Sequence, residues 1–597
     1  MVFLSGAPEI FLMTLVALVL LTVIPGLTDR GPSLCRKLWA LFVTCALFGL
    51  LSAVQILPFL ELKSASIREG GLSYWEATLW SFGFRDFLQF FLNDAFGAFH
   101  NLDRYWENQA WLKSVYTGLI PFALSIFFFL SSDKRRLLFA VLMLLSLVLA
   151  LGGSTPLYHL LYRLPPFDGL RYPVKFLFLF LFALSVTAGL GLDKIKAGGL
   201  ARDRRTNLAM WIIFSAGLLF AVAWGCEGLF HGRVYSFLDA RGYKPNTYNV
   251  LEVNLRNAAR FLLFSSLACF SVALYFRMRR PIVLYAVIPL LLLDLFLANT
   301  GDFRTGAWKT YAAPPSFAED VVRRSALDRY IVDEAAAAEL YAFPHNRAVL
   351  APTYAGVFGL YAASGSEVMK VAHQHAFLEL IKKSPSIAAA RNLLASAGIR
   401  YVITLEKIRN RRFRLVRSIS AESVKRKEKV RVYLYEYTQC PDRVFLVGKT
   451  RFAGSDNDAA KAVGRMDPRG EVVLQGAAAR LPGTGKVSGQ ARIVEYGPNR
   501  VEIEYSADRA CFLYLGDTFY PGWRAYIDGS RTPVLRANLA FRALSVPKGA
   551  HRVLFEYFPL SFYYGLALTL AGIGLSIFLI GRGGRKEITP PRPGDVL

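Results

Sequence analysis

The chain has 597 residues, of which 54% are hydrophobic, and a formal net charge of +26. That apolar content over this length excludes an ordinary multi-domain soluble protein. The surplus Lys and Arg fall in short loops between apolar runs, where they orient membrane helices, so nucleic acid is excluded as the expected partner. The six cysteines show no CxxC or other metal-like spacing. A disulfide between Cys440 and Cys511 is open, but no spacing rule supports it.

In chain order, apolar runs predict membrane spans at about 9–28, 38–57, 114–131, 136–152, 174–192, 207–225, 259–277, 281–298 and 561–580. Each is close to the length that crosses a hydrocarbon core of roughly 30 Å. Basic residues then alternate. Arg30, Arg36 and Lys37, then Lys134, Arg135 and Arg136, then Lys194, Lys196, Arg202, Arg204 and Arg205, then Arg277, Arg279 and Arg280, and finally Arg582, Arg585 and Lys586 all fall on one face when nine spans are counted. The positive-inside rule makes that face cytoplasmic.

The opposite face receives segments 58–113, 153–173 and 226–258 and the long domain 299–560. It also receives Met1, whose first residues carry no positive leader. An odd number of further spans upstream of Met1 is therefore expected. Segment 58–113 is crowded with aromatics, including Trp75, Trp80, Phe84, Phe90 and Trp106, which suits short helices at the headgroup level. Segment 153–173 is Pro-rich and short, and reads as a re-entrant or surface loop. Domain 299–438 mixes helices (366–383, 386–397) with strands (400–404, 430–437). Domain 439–560 is a succession of short strands at 443–448, 490–495, 499–505, 510–516, 523–527, 541–546 and 551–557, broken by turns such as Tyr-Pro-Gly, Asp-Gly-Ser and Lys-Gly-Ala. That rhythm predicts a β-sandwich. Residues 561–597 supply the last span and a cytoplasmic tail.

The run Phe519-Tyr-Pro-Gly-Trp-Arg-Ala-Tyr-Ile-Asp-Gly, with Pro533-Val-Leu-Arg-Ala-Asn-Leu-Ala-Phe-Arg-Ala and Lys548-Gly-Ala-His-Arg-Val-Leu-Phe-Glu-Tyr, resembles the C-terminal signature of the YfhO-like bacterial membrane proteins. Gly6-Ala-Pro-Glu, Ala53-Val-Gln-Ile-Leu-Pro, Leu151-Gly-Gly-Ser-Thr-Pro-Leu-Tyr, Leu170-Arg-Tyr-Pro-Val-Lys-Phe and Gly398-Ile-Arg-Tyr-Val-Ile fit the same family. The resemblance implies a fold of the GT-C glycosyltransferase type. It implies a polyprenyl-phosphate-linked sugar as donor and a cell-envelope polymer such as teichoic acid as acceptor, on the outer face of the bacterial cytoplasmic membrane. Family members usually have further spans before the Gly-x-Pro-Glu stretch, and GT-C enzymes usually carry their catalytic acid in the first outer loop. No residue here inherits that role by motif.

Such a transfer needs a carboxylate to accept the acceptor's proton, and cations or a divalent metal to stabilise the departing phosphate. For the phosphate, Arg171 and Lys175 stand at the mouth of the fifth run, with Arg163 near in sequence; Arg offers a planar fork suited to phosphate. Snorkelling to lipid headgroups is the plainer role for all three. Among acids, Glu9 stands at the entrance to an apolar run, Asp94 lies in the aromatic segment beside His100 and Asp103, and Asp294 lies inside the eighth run, where an ionisable group is costly. No metal-ligand spacing stands out, and His373 and His375 are placed on different helix faces. Tyr520, Trp523 and Tyr526, with Phe519, are the natural glycan-stacking groups of the sandwich, against the alternative that they build its core.

The sequence thus reads as a polytopic α-helical membrane protein of about nine spans with an extracytoplasmic α/β plus β-sandwich domain. A GT-C-like glycosyltransferase is the leading activity. A non-catalytic scaffold or glycan-binding partner is the second reading, and a lipid or polysaccharide transporter the third. The topology is checked by thiol labelling in intact cells. A cysteine placed in loop 194–205 is expected to resist an impermeant reagent, and one near 470 to react; the reverse pattern contradicts the orientation.

Overall fold

The computed structural model describes residues 8–28, 34–95, 112, 114–164, 167–197, 204–241, 250–300, 308, 312–340, 350–365, 367–423, 428–475 and 485–583. These form two compact units. Residues 1–49 with 71–305 make the first, and 50–70 with 306–597 the second.

Among the described residues, seven helices are long and apolar enough to cross a membrane: Leu34–Leu51, Arg136–Ser154, Pro173–Lys196, Trp211–Ala240, Leu251–Met278, Pro281–Asn299 and Leu560–Arg582. Two further helices are apolar, Pro8–Thr28 of 21 residues and Ile120–Leu130 of 11. Every apolar run of the sequence falls on one of these nine, and Ile120–Leu130 lacks the expected length. Helix Ile120–Leu130 starts late because Gly118 takes a positive φ of 67° and Pro121 fits only the first helical turn.

In the first unit the core is built by Phe82, Phe90, Phe128, Val174, Leu177, Phe180 and Leu184. A second cluster joins Ile120, Leu124, Ala188, Tyr275 and Leu284. Helix Ile120–Leu130 approaches helix Leu177–Lys196 at Gly191, where a Cβ would lie 1.9 Å from the Leu124 carbonyl oxygen. The aromatic segment does not behave uniformly. Phe82 and Phe90 are buried, whereas Trp75 and Phe84 are exposed. Its acids partly serve as caps: Glu76 closes a capping box with Ser73, and Asp86 accepts from the Gly83 amide at 2.6 Å. Residues 96–111, which include His100 and Asp103, lie outside the described residues.

Segment 226–258, expected as an outer loop, is largely helical. Helix Arg204–Ala240 runs for 37 residues and helix Val250–Met278 for 29. Polarity ends an apolar run but does not end a helix. Here His231 joins the two helices, with Nδ1 2.5 Å from Glu227 and Nε2 3.0 Å from Glu252.

The second unit contains three sheets. In the first, β1 (Arg329–Val332), β2 (Tyr361–Ala362), β3 (Ile399–Thr404), β4 (Phe413–Glu422) and β5 (Lys429–Tyr437) are ordered β2-β1-β3-β5-β4. β1 is parallel to β2 and β3; the remaining pairs are antiparallel. The other strands are β6 (Val444–Val447), β7 (Lys449–Ala453), β8 (Glu471–Gln475), β9 (Gly489–Tyr496), β10 (Arg500–Ala507), β11 (Cys511–Thr518), β12 (Trp523–Ile527), β13 (Ser530–Thr532), β14 (Leu535–Ala537), β15 (Phe541–Val546) and β16 (Gly549–Tyr557). They form a six-stranded sheet, β6-β11-β15-β14-β8-β7, and a five-stranded sheet, β13-β12-β16-β10-β9.

The six-stranded sheet and the β13-β12-β16-β10-β9 sheet share a core of Val501, Ile503, Leu513, Leu515, Ala525, Leu544, Val553 and Phe555. The other face of the six-stranded sheet, with Phe512, Tyr514 and Phe541, packs with Phe377 and Ile381 of helix Ala372–Lys382, Leu394 of helix Arg391–Ser396 and Val463 of helix Asp456–Arg465. β11 is therefore buried on both faces, which is why its sequence reads as a continuous apolar run. Cys440 belongs to the helix-covered core and Cys511 to the sandwich core, and both are free thiols. The Asp528-Gly529 turn between β12 and β13 takes φ of 45° and 82°, the positive pair a tight hairpin requires.

The final helix, Leu560–Gly583, packs on helix Ala53–Ser64 through small residues. A Cβ at Gly565 would lie 2.4 Å from the Ala53 carbonyl oxygen, and one at Gly572 2.9 Å from Leu50 Cβ. The second apolar run breaks at Ser52, between helices Leu34–Leu51 and Ala53–Ser64. Thr569 closes the break: its hydroxyl accepts from the Val54 amide at 3.1 Å and donates to the Leu50 carbonyl at 3.2 Å. Apolar surroundings give freed backbone groups no water, so a neighbouring hydroxyl must supply the partner.

This contact gives a controlled test. Gly565→Val should destabilise the detergent-solubilised chain by about 1–3 kcal/mol, the usual cost of overpacking. Gly574→Val, where nothing lies within 4 Å of a Cβ, should leave thermal unfolding nearly unchanged. Equal effects would contradict the close packing at Gly565.

Candidate functional site

Helix Leu177–Lys196 is preceded by a single 3-10 turn, Pro173–Phe176, and by Tyr172 in the left-handed region at φ 67°. That backbone turns the Tyr172 ring into a platform. Trp80 stacks on it with ring centroids 4.2 Å apart. The Arg171 guanidinium lies 4.8 Å from the ring centre and the Lys175 ammonium 5.0 Å. Two cations on neighbouring turns are thus gathered on one aromatic ring, which tolerates them through its negative face. Arg171 is half-buried and Lys175 is buried. Both line a cavity of about 10 Å³, room for no more than one water, with Leu12, Met13, Tyr158 and Phe176.

Arg163 is not part of this arrangement. It follows the short helix Leu157–Tyr162, is exposed, and places Nη2 3.4 Å from His159 Nε2. The loop expected at 153–173 contains the short helix Leu157–Tyr162 and is held by an aromatic of the preceding outer segment, with Tyr74 edge-on to both His159 and Tyr162.

A second constellation surrounds Asp294, which is 2% exposed in helix Val287–Asn299. The Tyr116 hydroxyl donates to its carboxylate, lying 3.0 Å from Oδ1 and 2.8 Å from Oδ2. Arg260 places Nε 3.5 Å from Oδ1 and its guanidinium 5.2 Å from the Tyr116 ring centre. Asn254, Asn257 and Arg260 repeat every three residues along helix Val250–Met278 and so share a face. Asn257 donates to the Asn93 carbonyl, and Asn254 to the Ala95 carbonyl at 3.0 Å. Asn93 in turn donates to Ala298 O at 2.6 Å and to Asp94 Oδ2 at 3.3 Å. Two acids singled out separately, Asp94 and Asp294, are thereby tied into one polar network. Asp94 holds a positive φ of 56°. Glu9 opens helix Pro8–Thr28, and its side chain lies outside the described residues.

Both oxygens of Asp294 are engaged by Tyr116, and Arg260 neutralises it. That suits a tie between helices better than a base awaiting a hydroxyl proton. Arg260 and Tyr116 escaped the sequence reading: one stands at the very start of an apolar run, the other in a stretch expected to be helical. The spacing Asn254, Asn257, Arg260 was the available signal.

The three aromatics of the sandwich do not form one surface. Along β12, Ala525 and Ile527 enter the core and Trp523 packs against it. The Trp523 ring is covered by the Arg542 guanidinium at 4.0 Å. Tyr526 points to the opposite face, as alternation along a strand requires. There it lines a groove with Arg500, Glu502, Arg552 and Glu556. Tyr520 sits beside Tyr557, at 6.4 Å between ring centres. Burial, with Glu61 adding to it, pushes its hydroxyl pKa up to about 12. Among the described residues no group of three or more His, Cys, Asp or Glu could hold a metal ion.

Residues 486–569 match the model of the family described as bacterial membrane protein YfhO. The chain is YfhO-like in this segment. The YfhO match covers β9 to β16 and the start of the final helix, and so includes the Tyr-Pro-Gly-Trp run and Thr569. Neither a curated protein nor a solved structure matches the chain. Together with the apolar helices, the match makes this a membrane protein similar to the YfhO family.

The Asp294 tie is tested by unfolding in detergent. Arg260→Leu should cost about 3–5 kcal/mol, because it strands a buried carboxylate. Tyr116→Phe should cost about 1–2 kcal/mol, one hydrogen bond to a charged group. An Arg260→Leu chain as stable as wild type would show that Asp294 is not held as an ion pair.

Proposed function

We propose that the chain is a GT-C-like membrane glycosyltransferase, acting in the bacterial cytoplasmic membrane with its large domain outside. It transfers a sugar from a polyprenyl-phosphate donor to a cell-envelope polymer. The observation that carries this reading is the pairing of Arg171 and Lys175 on the Tyr172 ring at the head of an apolar helix. A lipid phosphate needs cations at the end of an apolar path, and apolar residues of another helix, Leu12 and Met13, line the same pocket.

In this reading Arg171 and Lys175 hold the phosphate and stabilise its charge as the sugar departs. Tyr172 and Trp80 fix the geometry of the two cations. The sandwich domain orients the acceptor, with Tyr526 and the polar groove around it as the contact surface.

A second reading is a non-catalytic scaffold or glycan-binding partner. It is favoured by the engagement of both Asp294 oxygens, and by the absence of a carboxylate among the described residues lining the Arg171 pocket. The two are separated by Arg171→Ala. The glycosyltransferase reading expects sugar transfer to membrane polymer to be abolished while insertion and thermal stability persist. Transfer at the wild-type rate in that variant would remove Arg171 from the mechanism.

A further inference from the structure

The second unit encloses an unbalanced charge cluster. Asp517 in β11 is 4% exposed and receives three arginines. Arg329 Nη2 lies 2.6 Å from Oδ1, Arg542 Nη2 3.2 Å from Oδ2 and Arg443 Nη1 3.8 Å from Oδ1. The Tyr496 hydroxyl adds contacts at 3.3 and 3.2 Å. Three guanidiniums against one carboxylate leave two positive charges in excess in a place that water barely reaches.

Aromatic rings offset part of this excess. Arg443 lies between Tyr361 and Tyr496, at 4.5 and 4.6 Å, and Arg542 faces Trp523 at 4.0 Å. Backbone carbonyls of Leu327, Ala397 and Gly516 take further N–H groups. Yet Arg443 Nε and Nη1 and Arg542 Nη1 are buried without a hydrogen-bond partner among the described residues. Burial first, and then the neighbouring Arg329, work against the charge on both of these arginines. A ring face stabilises a cation less than a second anion does.

Arg329 also lines an opening beside this cluster. It is a pocket of about 60 Å³ shared with Gln374 and Thr518, and no carboxylate is among the described residues of its lining. Room for about four to six waters, at roughly 10–15 Å³ each, fits a tetrahedral oxyanion and is too small for a sugar ring. Gln374 comes from helix Ala372–Lys382, and Thr518 follows Asp517 in β11. Three of the five Arg329 N–H groups are taken by Ala397, Gly516 and Asp517, so the lining offers the remaining two together with an amide and a hydroxyl, among otherwise apolar residues.

We propose that the pocket lined by Arg329, Gln374 and Thr518 binds a phosphate group, whose charge balances the excess of the Asp517 cluster. The group is either free inorganic phosphate or the terminal phosphate of an ester. The proposal does not rest on the glycosyltransferase reading.

The full-length chain in neutral detergent is heated in increasing inorganic phosphate, with chloride replacing it at constant ionic strength, and again in glycerol 3-phosphate. A saturable rise of the unfolding midpoint with phosphate is expected, as for any ligand bound only by the folded state. Gln374→Ala and Thr518→Val lie outside the ion-pair cluster. Each should weaken the apparent affinity about tenfold while leaving the midpoint in chloride nearly unchanged. Broadening of the phosphate ³¹P signal by wild type, lost in either variant, provides the second readout. A response to both compounds assigns the site to a phosphate ester, and a response to inorganic phosphate alone to the free ion. A rise of equal size in wild type and variants reports general salting by phosphate and overturns the proposal, as does no rise at all.

Discussion

In apolar surroundings a polar group without a partner is so costly that its partner has to be found elsewhere in the chain. Much of the helical part follows from that constraint. The helix break at Ser52 frees an amide and a carbonyl, and Thr569, more than 500 residues later, takes both. Gly565 and Gly572 allow the close approach this requires. The same constraint explains why Asp294 draws Tyr116 and Arg260 to it, and why Asn93, Asn254 and Asn257 extend the network to backbone carbonyls. The ties join elements distant in sequence, so they fix how helices meet, which apolar side chains alone leave loosely specified.

The second unit obeys the constraint with one conspicuous exception. Its buried charges are mostly paired: Arg400, 1% exposed, meets Asp328 at 2.9 Å and Asp442 at 3.1 Å. Around Asp517 the count fails, because three arginines converge on one acid. Burial opposes the Asp517 charge, but those guanidiniums hold its carboxyl below the usual range. Its charge is lost only as pH falls through that lowered value, so its contribution to stability is present above the ordinary carboxylate range and declines in acid. The excess cations remain charged throughout, and an incoming anion resolves them.

The apolar helices and the sandwich strands were legible because period and turn chemistry agree there. β12 and β15 coincide with the segments read from sequence, and Gly522, Gly529 and Gly549 all take positive φ in the turns. β4, whose residues are largely exposed, and the short β7 carry too little apolar alternation to be seen. Helix Asp456–Arg465 was signalled only by its Ser455 cap on the Asp458 amide. The helices beyond 225 were hidden because their polar residues end the apolar run without ending the helix. Arg171 and Lys175 were legible as cations at the head of an apolar run. Their shared ring was not, since it depends on the left-handed backbone at Tyr172. The Asp517 cluster was invisible in principle: its arginines at 329, 443 and 542 are brought together only by two sheets, β1 of the first and the β6 and β15 region of the six-stranded one.

The functional account stands on the Arg171–Lys175 pocket, and lipid crosslinking addresses it directly. A polyprenyl phosphate carrying a photoreactive group near the phosphate would be bound to the full chain, irradiated, and the adducts mapped by mass spectrometry. The account predicts adducts on Leu12, Met13, Tyr158 or the 170–176 turn, reduced by unlabelled polyprenyl phosphate. Adducts confined to other segments, or unaffected by that competitor, would contradict it.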